Sequence, residues 1–146
     1  NKRFAYVVTE MGHTVIGLVY DAVGQSFGVM PPVSTLPADY TGNNDCAEIR
    51  VHPSGRFVYA SNRGHDSIAI FTVDEATGQL SPAGHASTQG KWPRNFALDP
   101  AGQFCYASNE QSDSIVAFRV DPRTGGLTPT GHVLSVPSPV HILFAG

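Results

Sequence analysis

The chain repeats itself. Residues Pro53 to His85 align on Pro100 to His132 without a gap at an offset of 47, and 19 of the 33 pairs are identical. A third copy begins earlier, where Arg3-Phe4-Ala5-Tyr6 matches Arg56-Phe57-Val58-Tyr59 at an offset of 53, followed by Val15 to Asp21 opposite Ile68 to Asp74. Each unit alternates short runs of β-formers with turn residues. In the middle copy the spacing predicts four strands, a to d, over Ala47–His52, Phe57–Ser61, Ser67–Asp74 and Leu80–Thr88. Pro53-Ser54-Gly55 and Pro100-Ala101-Gly102 make the a–b turns, and Asp74 to Gly78 and Asp121 to Gly126 make longer hairpin loops. Four strands per 47 residues, with no 3.6-residue periodicity, predict an all-β fold: a β-propeller of about three four-stranded blades. The expected organisation is an incomplete blade over 1–46, blades over 47–92 and 93–139, and the inner strand of a further blade over 140–146.

Composition agrees. Val (15), Ile (6) and Thr (10) outnumber Leu (7) more than fourfold, and 15 Gly with 11 Pro supply turns without reaching the level of disorder. A net charge of −3 with no basic run argues against nucleic acid. The absence of a long apolar run argues against a membrane span or signal peptide. Cys46 and Cys105 stand alone without metal-ligand spacing, which fits a reduced, cytoplasmic protein with no metal and no cofactor. Gly24-Gln25-Ser26-Phe27-Gly28 satisfies GxSxG, but it aligns with a c–d hairpin where a nucleophile elbow would need a strand turning into a helix.

Because strands meander, the start of strand a, the b–c loop and the d–a connection share one face. Positions common to both full repeats (Phe57/Phe104, Tyr59/Tyr106, Asn62/Asn109, Asp66/Asp113) serve the blade. Chemistry is expected where the repeat breaks on that face. Glu48 there aligns with Asn95 and His141, Arg94 with Ala47 and Val140, and Arg63-Gly64-His65 of the b–c loop with Glu110-Gln111-Ser112 and Glu10-Met11-Gly12. Glu48 or His141 could act as a base, and Arg63 and Arg94 could bind anions. Solvated loop charges are the plain alternative. Six extra residues in the first spacing predict an enlarged d–a connection, Leu36 to Asn44, over the same face as a candidate lid. Trp92 stands at this rim, either packing a blade edge or walling a pocket.

Three segments carry a resemblance: Asp45-Cys46-Ala47-Glu48-Ile49-Arg50-Val51-His52-Pro53-Ser54-Gly55-Arg56, Ser61-Asn62-Arg63-Gly64-His65-Asp66-Ser67-Ile68, and Gly90-Lys91-Trp92-Pro93-Arg94-Asn95-Phe96. With the ending Pro137-Ser138-Pro139-Val140-His141, they resemble the lactonase family of seven-bladed propellers, typified by bacterial 6-phosphogluconolactonases and related to carboxymuconate lactonizing enzymes. The resemblance implies Glu48 and Arg94 as catalytic residues; Arg63, His65, Asn95 and His141, which stand where the repeat breaks, are the expected substrate contacts. His141 stands where the family often has Cys. The implied activity is hydrolysis of a phosphorylated sugar-acid lactone. The alternatives are a muconate-type cycloisomerase and a non-catalytic propeller that binds a protein or peptide. Three blades cannot close a ring, so the expected companions are a small phosphorylated or carboxylated lactone and either preceding blades or a second copy of the chain.

Overall fold

A computed structural model describes residues 3–145. Among the described residues twelve strands form three four-stranded antiparallel sheets. The first holds β1 (Phe4–Thr9) and β2 (Thr14–Asp21), with β3 (Ser26–Val29) and β4 (Val33–Ser34) both pairing β2. Its outer strand is thus one strand cut in two at Met30-Pro31-Pro32, because two prolines remove two ladder donors. The second sheet runs β5 (Asp45–Val51), β6 (Phe57–Arg63), β7 (Ser67–Val73), β8 (Leu80–Ser87). The third runs β9 (Pro93–Leu98), β10 (Phe104–Asn109), β11 (Ser114–Val120), β12 (Leu127–Ser135), with one 3-10 turn at Glu110–Ser112. Among the described residues no helix is long and apolar enough to cross a membrane. The GxSxG segment falls on the turn into β3, as its alignment with the c–d hairpin implied.

The middle sheet is buried on both faces. Alternation along β6 sends Phe57 and Tyr59 toward the third sheet, into a core with Phe96, Val116 and Phe118. Val58 and Ala60 point the other way, to Val15 and Phe71 against the first sheet. Full burial of each large side chain contributes roughly 1.5–3 kcal/mol. The repeated polar positions lock neighbouring blades. Tyr6 Oη donates to Gly78 O at 2.9 Å and Tyr59 Oη to Gly125 O at 2.8 Å. Asn62 Nδ2 donates to Thr35 O at 2.8 Å and Asn109 Nδ2 to Thr88 O at 3.0 Å.

One expectation needs correction. Arg63 is the last residue of β6, paired with Asp45, because the a–b ladder runs two residues further than the turn signals implied. The segment 140–144, expected as the inner strand of a further blade, forms no ladder among the described residues, and Gly146 lies outside them.

The connection Leu36 to Asn44 lies against the b–c loop, on the face predicted for it. Tyr40 meets the His65 ring edge-on at 4.8 Å, and Tyr40 Oη donates to Asn43 O at 2.9 Å. Gly64 marks the closest approach. Its φ is +121°, and a Cβ there would sit 2.2 Å from Asn43 O. Gly64→Ala is therefore expected to cost about 2 kcal/mol or more, through clash and backbone strain together. Gly55→Ala, with φ at +76° but nothing within 4 Å, should cost only about 1 kcal/mol. Thermal unfolding of the two variants checks the contrast.

Candidate active site

The inner strands carry the site because their ladders break there. In β5 the register shifts between Cys46 and Ile49, and in β9 between Pro93 and Asn95. These bulges fall at aligned positions, Ala47-Glu48 and Arg94, and a bulge re-aims the side chains it carries. Glu48 N, freed from the ladder, donates to Ser61 Oγ at 3.0 Å. Its carboxylate is held from both ends. Oε1 accepts from Ile49 N at 3.1 Å and lies 3.4 Å from Arg50 Nε, while Oε2 accepts from Asn95 Nδ2. The Glu48 side chain keeps 21% of its surface exposed, so it is fixed without being sealed off.

Asn95 is only 1% exposed, and its carboxamide is used at both ends: Oδ1 accepts from Ile142 N at 2.9 Å. It orients Glu48 from within the protein, its nitrogen and its oxygen both bonded there. Buried amides satisfy their hydrogen bonds inside the protein. Its neighbour Arg94 is exposed and makes no hydrogen bond or ion pair among the described residues.

Arg94 lines a cleft of about 260 Å³ with Val8, Glu10, Cys46, Ala47 and Arg63. The two arginines differ in kind. Arg63 is buried, pairs with the Glu10 carboxylate, donates from Nη2 to Cys46 O at 2.9 Å and stacks 5.4 Å from the Trp92 ring centroid. One guanidinium thereby braces β5, the β1–β2 loop and the connection into β9. Glu10 was missed as a partner, although its alignment with Arg63, at opposite charge, was the available signal.

His65 belongs to the outer part of the face. Its Nδ1 shares a hydrogen bond with Ser67 Oγ at 2.6 Å, its ring lies 5.5 Å from that of His85, and burial followed by the His85 charge pushes its pKa down. His141 is exposed and makes no hydrogen bond, ion pair or ring contact among the described residues. The structure therefore groups Glu48 with Asn95, and Arg63 with Arg94 in one cleft, and leaves His65 and His141 apart. Among the described residues no group of three or more His, Cys, Asp or Glu is placed to hold a metal ion. The thiols of Cys46 and Cys105 are unpaired, buried and raised in pKa by that burial.

A family model described as "Lactonase, 7-bladed beta-propeller" matches residues 1–144. The chain belongs to that family. Among lactonase-family relatives, the 6-phosphogluconolactonase of Bacillus subtilis is 44% identical over 98 residues, which are 67% of this chain and 28% of the relative. The structure titled periplasmic gluconolactonase PpgL of Pseudomonas aeruginosa superposes with a TM-score of 0.92 at 30% identity, covering 99% of this chain and 40% of that one. A putative 6-phosphogluconolactonase from Bacteroides uniformis gives 0.89 at 31%, again covering 40% of its chain. The chain thus spans well under half of these relatives.

Proposed function

We propose that this chain is the part of a lactone hydrolase that carries the base and an anion-binding arginine, acting on a phosphorylated sugar-acid lactone. The observation that carries the reading is the pair of aligned bulges, which present a fixed carboxylate, Glu48, on β5 and an uncommitted guanidinium, Arg94, on β9, where the next residue, Asn95, bonds Glu48. The names of the relatives support the substrate class.

Water adds to the lactone carbonyl carbon while Glu48 accepts its proton, and a carboxylate has lone pairs left beyond those its donors occupy. The carbonyl π electrons move onto oxygen, and Arg94 stabilises that oxyanion. Collapse re-forms the carbonyl and breaks the ring C–O bond, and the leaving ring oxygen takes the proton back from Glu48 to give the open hydroxy acid. Arg63, neutralised by Glu10, shapes the cleft. In the complete propeller the 140–144 segment is the inner strand of the following blade. The unpaired buried cysteines support a cytoplasmic setting.

The test is a substrate panel on the complete seven-bladed protein. Acid release from 6-phosphogluconolactone above the spontaneous rate is the expected result. Turnover of a muconate alone would install the cycloisomerase reading, and turnover of neither would favour a binding module.

A further inference from the structure

A second cavity, of about 390 Å³, lies on the other side of Arg63, within the range of small-molecule sites. Its polar wall is uncommitted. The Asn43 amide and the Asp45 carboxylate, both lining it, make no hydrogen bond or ion pair among the described residues, and His13 Nδ1 is buried there without a partner. Trp92 supplies an aromatic wall. Its backbone N donates to Asp66 Oδ1 at 2.8 Å with φ at +63°, and Ser138 repeats that arrangement against Asp113 in the next blade. The backbone is therefore the blade's own, and the indole is the particular feature of this position. The roof comes from the enlarged Leu36–Asn44 connection, where the following blade junction has only a short link.

We propose that this cavity binds the neutral, hydroxylated carbon chain of a sugar acid. The inference rests on the lactonase reading and adds to it the means by which the rest of the substrate is held. The cavity's one arginine is already paired with Glu10 and bonded to Cys46 O, and the groups left are acceptors, the Asp45 carboxylate and Asn43 Oδ1, with donors beside them, Asn43 Nδ2 and Arg63 Nε, the last buried without a partner. Hydroxyl groups donate to such acceptors, and the apolar faces of a polyol chain pack on an indole. A phosphate would meet the Asp45 charge, while the one guanidinium that could offset it is already neutralised by Glu10. Arg94, across Arg63, is the cation left for an anionic group. Arg63 is thus a shared wall between an anion-binding cleft and a hydroxyl-binding cavity.

Trp92 is the chain's single tryptophan, so intrinsic fluorescence reads this cavity without any assay of turnover. Titrating the 146-residue chain with sorbitol and with gluconate is expected to change Trp92 emission saturably, with a Kd on the order of millimolar. Inorganic phosphate should not compete. Asp45→Asn and Asn43→Ala, each checked for folding by circular dichroism, should weaken binding by about tenfold or more. The proposal is overturned if neither polyol gives a saturable change, if phosphate competes with them, or if both folded variants bind like the parent. Failure of the lactonase reading would show instead as absent acid release by the complete propeller, with the Trp92 titration intact.

Discussion

Arg63→Ala is expected to lower the melting temperature of the 146-residue chain by about 10 °C, corresponding to about 3 kcal/mol. Arg63 is 5% exposed, and its guanidinium touches three separate pieces of chain. Removing it leaves Cys46 O without the donor now 2.9 Å away, and a buried acceptor stripped of its partner costs about 1–3 kcal/mol. It also removes the cation stacked on Trp92, worth about 0.5–2 kcal/mol, and opens a void between blades. The Glu10 pair adds little, since Glu10 keeps 62% of its side chain exposed. Calorimetry decides. An unchanged melting temperature would mean that the three contacts are incidental.

Glu48→Gln and Arg94→Ala, each made in the complete propeller, are expected to reduce lactone turnover by about a hundredfold or more and leave the melting temperature within about 2 °C. Glutamine preserves shape and keeps one oxygen where Glu48 uses Oε1 for Ile49 N and Oε2 for Asn95 Nδ2, so one of the two bonds is lost, and it cannot take the proton from water. Arg94 has no described partner to lose. Its truncation costs charge where the oxyanion forms and almost nothing in packing. The opposite behaviour of the two arginines of one cleft, one read in stability and the other in rate, follows from which of them is already paired. Near-normal turnover in both variants would remove the catalytic assignment.

Much of the fold was legible because the chain states it nearly three times. Aligned copies share the same inward-facing aromatics and the same turn residues, and period-two alternation then assigns faces. The break in β3 and β4 was less visible, since Pro31 and Pro32 interrupt pairing without ending the strand's course along β2. Glu48 and Arg94 stood out because a blade has no structural need for them where the other copies carry different residues. The burial of Asn95 did not. An asparagine at a rim reads as a substrate contact until the neighbouring strand and the Ile142 amide are seen to occupy both ends of it. The Glu10–Arg63 pair was hidden for a similar reason. Alignment placed the two at equivalent positions of successive blades, but that equivalence alone does not say that one side chain reaches the other across 53 residues of chain. Contacts between blades made by residues that differ from copy to copy depend on how the sheets stack, which the repeat does not encode.

The most direct measurement of the account is hydrolysis of 6-phosphogluconolactone by the complete propeller in oxygen-18 water, corrected for spontaneous opening. Attack by water on the carbonyl, with Glu48 as base, predicts one labelled oxygen per turnover in the product carboxylate, and enzymatic labelling reduced about a hundredfold in Glu48→Gln. Label in the hydroxyl released by ring opening, or full labelling of the carboxylate at an unchanged rate in Glu48→Gln, would contradict it.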